Sequence, residues 1–206
     1  MTSKIVKTIL TKEGYLINKK HFKDCEVRMI KKELTVKPAN TFVMGSKKDD
    51  SELEFEVFRE NDEYLSIPKF YGIKKLGEPD KNDEIIGESM KMKFTGSLRP
   101  LQEDIVNETL EHLLKYDGGG ICVGCGSGKT VMAIYIAQIL KVKTLVIVHK
   151  SFLLNQWKER FEQFSDAKIG IIQQKKVECE GKDVVIGMLQ SIAKGKYDFD
   201  IFRDFG

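Results

Sequence analysis

The chain has 206 residues, 41% of them hydrophobic and 32% charged, with a formal net charge of +3. That length buries one good core or two smaller domains, and 34 basic against 31 acidic residues is a mixed-sign surface in which composition alone shows no nucleic-acid binder. Four scattered cysteines (Cys25, Cys122, Cys125, Cys179), no apolar run near the roughly 20 residues of a membrane span and an N-terminus, MTSKIVKTIL, without a signal-peptide core point to an intracellular protein with no membrane partner.

In chain order, Lys19 to Leu34 has the spacing of a helix, with Phe22, Cys25 and Met29 on one stripe and Ile30 beside it. LTVKP reads as a short strand stopped by Pro38. In SELEFEVF, Leu53, Phe55 and Val57 alternate with Glu52, Glu54 and Glu56, the period of a half-buried strand with one acidic face. RENDE and YLSIP suggest a turn and a return strand ending at Pro68. These elements make a small α+β module, and GEPDKNDEIIGES, Gly77 to Ser89, reads as its link to the rest. The basic residues of 1–37 are offset by the acidic stretch DDSELEFEVFRENDE, so a solvated face is the plainer reading and nucleic-acid contact the sharper one.

From residue 97 strand and helix alternate. SLRPLQEDIVNETLEHLLKYDGGG reads as a helix with Pro100 in its first turn, Glu103 and Asp104 at its positive end and Gly118 at its stop; Val106, Leu110, Leu113 and Leu114 supply the buried stripe. GICV then reads as a buried strand, TVMAIYIAQIL as a helix, KTLVIV as a strand and SFLLNQWKERFEQF as a helix, with Trp157 at core spacing from Leu153 and Phe161. KIGIIQ and DVVIGML are two more strands, the second followed by a short helical QSIAK. The fold class is α/β, with a mainly parallel, doubly covered sheet after the N-terminal module.

The glycines at the strand-to-helix turn carry the chemistry. Glycine lets the backbone turn tightly so that its amides point inward, a lysine reaches the β- and γ-phosphates, and a hydroxyl at the helix start meets Mg²⁺. Gly124, Cys125, Gly126, Ser127, Gly128, Lys129 and Thr130 form that sequence. The strict pattern G-x-x-x-x-G-K-[ST] puts its first glycine where this chain has Val123, which leaves the amides nearest the helix unaffected. Cys122 and Cys125 have the spacing of a redox pair or half a zinc site, but no second pair follows and both lie in the glycine loop, so reduced thiols are the plainer account. His149, Lys150 and Ser151 stand where a parallel strand ends, the ligand-binding end of α/β folds; a lysine, a hydroxyl and a helix start can meet a phosphate there, or form a plain loop. His21 and His112 have no partners in the pattern.

Taken together, residues 94–206 resemble superfamily 2 DExH-type helicases and translocases, in the branch of the transcription-and-repair, phage recombination and large-DNA-virus transcript-release helicases. FTGSLRPLQ is similar to that branch's leading segment, in which Gln102 hydrogen-bonds the adenine edge and Arg99 supports it; GCGSGKT resembles motif I; LVIVHKSFLLNQWKERF resembles motif Ia; and DVVIGMLQSI resembles a later motif whose loop, here Gln190 and Ser191, touches the nucleic-acid backbone. FYGIKKLG and the module before it are loosely similar to the N-terminal regions of the viral members. The resemblance implies ATP and Mg²⁺ as cofactors, DNA rather than RNA as partner, and a location in cytoplasm, nucleus or virus. It divides the chain into an accessory module, 1–88, and a first RecA-like P-loop domain, 89–206, truncated before the Asp-Glu motif.

Hydrolysis also needs a carboxylate on Mg²⁺, a group that orients water and cations facing the transferred phosphoryl group. No apolar strand after Lys129 ends in Asp-Glu; Asp198, Asp200 and Asp204 follow no buried strand. The expectation is therefore a chain that binds ATP but hydrolyses it poorly without a C-terminal helicase half, and whose sheet keeps an open apolar edge prone to self-association. The competing reading is a naturally short nucleotide- or nucleic-acid-binding module without catalysis. A P-loop small-molecule kinase fits less well, since Arg160 and Arg203 are the only arginines after Arg99.

Overall fold

The computed structural model describes residues 5–37, 54–194 and 197–206 and divides into two units, Met1–Ile85 and Ile86–Gly206. In the first unit, β1 (Thr8–Thr11) and β2 (Gly14–Asn18) form a tight hairpin whose alternate residues Leu10, Tyr15 and Ile17 turn inward. Helix α1 (Asp24–Glu33) starts where the Glu26 carboxylate accepts the Lys23 amide at 2.8 Å. Two-residue strands β3 (Thr35–Val36) and β4 (Phe55–Glu56) pair with each other. Then β5 (Arg59–Glu60) and β6 (Tyr64–Ile67) make a second hairpin, α2 (Lys69–Leu76) follows, and β7 (Lys81–Asn82) returns parallel to β1. The sheet order is β5-β6-β2-β1-β7. Ile30 and Leu34 from the helical segment meet Leu10, Tyr15, Ile17, Leu65 and Ile67 in one core.

The second unit is built around α3 (Pro100–Tyr116), α4 (Lys129–Leu140), β8 (Thr144–Val148), α5 (Ser151–Phe164), β9 (Ile169–Gln173), β10 (Lys176–Val177), β11 (Val184–Met188) and the single-turn α6 (Leu189–Ile192). Strand β11 lies between β8 and β9, parallel to both, and β10 adds antiparallel to β9. Val184 and Ile186 pack toward the residues of α4 and α5; Val185 packs with Ile172 and Phe205. Both faces of the strand are covered, as an uninterrupted apolar run requires. On its outer side β8 has no strand partner among the described residues, and Ile147 is 52% exposed there. No helix among the described residues is long and apolar enough to cross a membrane.

The α/β class, α4, α5 and the three parallel strands match the sequence expectation; several details do not. GICV joins no sheet: Ile121 and Val123 pack against the side chains of α3 and α4 instead. Extended backbone becomes a strand only where another strand accepts its hydrogen bonds, and among the described residues none lies alongside. On α1 the buried residue is Ile30, while Cys25 is exposed and Met29 is 56% exposed, so the apolar stripe runs one step round the helix from the expected one. Phe55 and Val57 are 59% and 46% exposed because nothing among the described residues packs over β4, and the earlier part of that alternation, with Leu53, lies outside the described residues. Helix α3 stops at Asp117, which takes φ 54° ahead of Gly118, and Leu114 is exposed.

Lys143 ties the second unit's ends together. Its side chain is 7% exposed and reaches Asp204 at 3.0 Å and Glu88 at 3.5 Å, carboxylates that are themselves 45% and 65% exposed. Its backbone amide donates to the Glu88 carbonyl and its carbonyl accepts from Gly206. Burial alone would lower the lysine pKa, but the hydrogen bond and charge of Asp204, with Glu88, outweigh it and hold the ammonium above its ordinary value. Its contribution to stability is therefore whole below the unfolded-state pKa of about 10.4 and is lost as pH rises through the folded value. Asp204→Asn should cost about 1–3 kcal/mol, since a charge almost out of water loses its nearer partner. Lys143→Met should cost less, because the carboxylates it leaves behind reach solvent. Urea unfolding of both variants at pH 7 and pH 11 checks this: the reverse order at pH 7, or a gap between them that does not narrow by pH 11, would overturn the assignment.

Candidate nucleotide and nucleic-acid site

The turn into α4 takes its shape from two left-handed glycines, Gly126 at φ 79° and Gly128 at φ 84°. Side chains rarely adopt that region, which is why the loop is glycine-rich. Between them, the Ser127 hydroxyl donates to the Gly124 carbonyl at 2.9 Å. The amides of Gly126, Gly128, Lys129 and Thr130 make no backbone hydrogen bond among the described residues. Four free donors at the start of a 12-residue helix are the arrangement that accepts a phosphate. The Lys129 ammonium lies within the loop, donating to the carbonyls of Val123 and Gly124 at 2.9 Å each. Cys122 and Cys125 are free and exposed.

The start of α3 is fastened to this loop. Gln102, 4% exposed, accepts the Arg99 amide on Oε1 at 2.9 Å and donates from Nε2 to the Ser127 carbonyl at 2.8 Å. Arg99 itself is exposed at the helix cap.

At the C-terminal ends of the parallel strands, the register that sets Val148 opposite Met188 brings two loops together. The first holds His149, Lys150 and Ser151, with the Lys150 ammonium 6.0 Å from the centre of the Phe152 ring. The second holds Gln190, whose amide donates to the His149 carbonyl at 2.6 Å, and Ser191, whose hydroxyl accepts the Gln174 amide at 3.0 Å. Sequence reasoning missed what lies beyond Ser191. A cavity of about 590 Å³ opens there between Gln173, Lys175, Gln190, Ser191, Lys194 and Tyr197. The Tyr197 hydroxyl braces it by donating to the carbonyl of Gln174, which sits at φ 53°. The run QQKK between two apolar strands was the available signal.

The three late aspartates are engaged elsewhere. Asp198 caps its own 3-10 turn by accepting the Asp200 amide, Asp200 pairs with Arg203 at 3.1 Å, and Asp204 holds Lys143. Among the described residues no group of three or more His, Cys, Asp or Glu is disposed to bind a metal ion. Thr130 stands in the first turn of α4.

The partly parallel sheet, with a glycine loop leading into α4, is that of a RecA-like α/β domain. The family described as the type III restriction enzyme, res subunit, matches residues 95–202, and the chain belongs to it, in the large-DNA-virus branch of the superfamily 2 helicases. A protein of Acanthamoeba polyphaga mimivirus, provisionally named an ATP-dependent RNA helicase, is 40% identical over 206 residues, 98% of this chain and 39% of that protein. A provisionally named helicase of invertebrate iridescent virus 6 is 38% identical over 117 residues, 57% of this chain and 23% of its own length. A DNA 3′–5′ translocase of Sulfurisphaera tokodaii is 41% identical over 69 residues, 34% of this chain and 16% of that protein. The chain thus spans about two fifths of the mimivirus protein and less of the others.

The loop geometry separates two glycines that look alike in sequence. A β-carbon at position 128 would land on Gln102 Nε2 and would need a left-handed backbone, whereas one at 124 would meet only the Ser127 hydroxyl at 3.8 Å. Gly128→Ala should reduce affinity for a nucleoside triphosphate at least tenfold, the equivalent of about 1.4 kcal/mol, and Gly124→Ala by less than threefold. Calorimetric titration checks the pair; equal losses would mean that the loop does not hold this shape.

Proposed function

We propose that this chain is the nucleotide-binding front part of an ATP-dependent nucleic-acid helicase or translocase. It binds ATP–Mg²⁺ through residues 124–130, with Arg99 and Gln102 at the loop's edge, and touches a strand's backbone through His149, Lys150, Ser151, Gln190 and Ser191. The observation that carries the reading is the loop itself: four free amides, a lysine already inside it and a hydroxyl at the helix start. Mg²⁺ would offset the phosphate charge, and Thr130 would hold it. Lys150, Lys175 and Lys194 fit the polyanionic backbone that the exposed loops would follow.

With Asp198, Asp200 and Asp204 all engaged elsewhere, the chain alone should hydrolyse ATP poorly, and its working partner is a second helicase domain. The same observation favours the second reading, a binding module without catalysis. The named substrates of the relatives differ, RNA for the mimivirus protein and DNA for the archaeal one; backbone contacts of this kind accept both, and DNA is the first partner to test. The open edge of β8 gives the isolated chain a route to self-association, and we place the protein inside the cell or the virus.

ATP binding and turnover by the purified chain, with and without single- and double-stranded DNA and RNA, test the proposal. Lys129→Ala should weaken ATP binding roughly 10- to 100-fold, the loss of a charge-assisted hydrogen bond, and unchanged affinity would remove the nucleotide assignment. Lys150→Ala should weaken binding of a single strand and make it less salt-dependent. Turnover that nucleic acid stimulates and Lys129→Ala removes would show that a carboxylate already present serves the chemistry.

A further inference from the structure

The cavity beyond Ser191 has a one-sided chemistry. Three glutamines (Gln173, Gln174, Gln190), two lysines (Lys175, Lys194) and Tyr197 line it, and no carboxylate does. Neither lysine enters an ion pair among the described residues. A lysine ammonium offers donors only, whereas a glutamine amide offers a donor and an acceptor side by side. The ligand that answers this lining is an anion that also carries a planar edge with donors and acceptors of its own. A nucleotide is both: its phosphate suits the lysines and its base edge suits the amides. At about 590 Å³ the cavity falls within the roughly 300–1,000 Å³ of sites that enclose one small ligand, so it takes one nucleotide and not a run of them.

The cavity is continuous with the two loops at the strand ends. Gln190 lines it and also donates its amide to the His149 carbonyl at 2.6 Å. Ser191 lines it while its hydroxyl accepts the Gln174 amide at 3.0 Å. A strand that follows Lys150 and Gln190 therefore runs along the cavity's edge. The Tyr197 hydroxyl, donating to the Gln174 carbonyl at 2.7 Å, holds an aromatic ring in the wall, the kind of surface on which an unstacked base lies. A paired base has its edge engaged by its complement and its faces covered by its neighbours, so an unpaired base turns aside far more readily.

We infer that this cavity holds one unpaired nucleotide turned out of a single strand and reads its base with Gln173 and Gln174. The chain then distinguishes bases at one position while its other contacts follow the backbone. This rests on the nucleic-acid reading of the loops at 149–151 and 190–191. The phosphate goes to Lys175 and Lys194, the base edge to the two amides, and Tyr197 covers one face of the base.

The test measures binding of dye-labelled oligo(dA), oligo(dC) and oligo(dT), an abasic strand of the same length and the corresponding duplexes to the purified chain by fluorescence anisotropy. Thermal melts establish the folding of Gln173→Leu, Gln173→Asn, Lys194→Ala and Lys150→Ala. Wild type should spread the three single strands over about fivefold or more, the discrimination of a good amide–base pair, and should show no such ranking among the duplexes. Gln173→Leu keeps the volume at the end of β9 and removes the amide. It should compress the ranking to less than about twofold and leave affinity for the abasic strand unchanged. Gln173→Asn, whose amide is drawn back by one methylene, should compress it in part. Lys194→Ala should weaken every strand, the abasic one included, and lower the salt dependence.

Equal affinity of wild type for the three single strands overturns the inference, and so does a ranking that Gln173→Leu leaves intact. If wild type binds intact and abasic strands alike while Lys150→Ala weakens both, the backbone reading of the loops stands and the role given to the cavity falls. If wild type binds no strand, both fall together. AMP carries the same chemistry as a nucleotide in a strand. If Lys129→Ala, with its phosphate loop disabled, binds AMP more tightly than the best strand, and adding Gln173→Leu abolishes that binding, the cavity belongs to a free nucleotide and the strand assignment is overturned. Should Gln173→Leu fail to fold, Gln173→Asn decides: an unchanged ranking overturns the inference.

Discussion

The second unit depends on one constraint: β11 is buried on both faces. Val184, Val185 and Ile186 have no access to solvent, so the strand is stable only with cover on each side and a paired neighbour on each edge. The helices α4 and α5 supply the cover on one face, and α6 with the segment ending in Phe205 supplies it on the other. Parallel pairing with β8 and β9 then forces the loops after these strands to emerge at the same end. The juxtaposition of His149 with Gln190, and of Ser191 with Gln174, follows from that register rather than from any affinity between the loops themselves.

What the sequence made legible divides along the same line. Strands β8, β9 and β11 and helices α4 and α5 could be read because each signal lies within one segment: a run of branched apolar residues, or apolar residues at helical spacing. The segment Ile121–Val123 has the same composition as a strand, but a strand is a relation between two segments, and its composition does not say whether a partner is present. Phe55 and Val57 failed for a related reason. Their alternation describes a surface that could be half buried, while burial depends on something packing over it. On α1, Met29 and Ile30 were both candidates for the core; the structure buries Ile30, packed with Leu34, Leu10 and Tyr15.

The candidate site shows the same boundary between local and non-local information. Left-handed turns at Gly126 and Gly128, and Lys129 at the head of α4, were legible because the requirement for glycine is a property of single residues. The tie from Gln102 to Ser127 was not, since it links positions 25 apart and carries no periodic signature. The cavity beside Lys175 and Lys194 is likewise assembled from two separate stretches, one at the end of β9 and one after β11, each of them ordinary when read alone. The fates of Asp198, Asp200 and Asp204 became clear only once their partners were known, one a neighbouring amide, one Arg203 and one Lys143.

Lys129 shows how the loop holds its own shape. A lysine ammonium carries three N–H donors and no acceptor. Two are engaged by the carbonyls of Val123 and Gly124, which come from the approach to the turn and not from α4. These bonds hold the ammonium inside the loop and leave one N–H unassigned to the loop's backbone. Gln102 acts on the opposite side of the same turn by fixing the Ser127 carbonyl. Two side chains, one from each end of the loop's surroundings, thus fix the directions of three of its carbonyls, those of Val123, Gly124 and Ser127. Because each carbonyl fixes its peptide plane, the shape of residues 123–128 depends on these two side chains together with the left-handed glycines at 126 and 128.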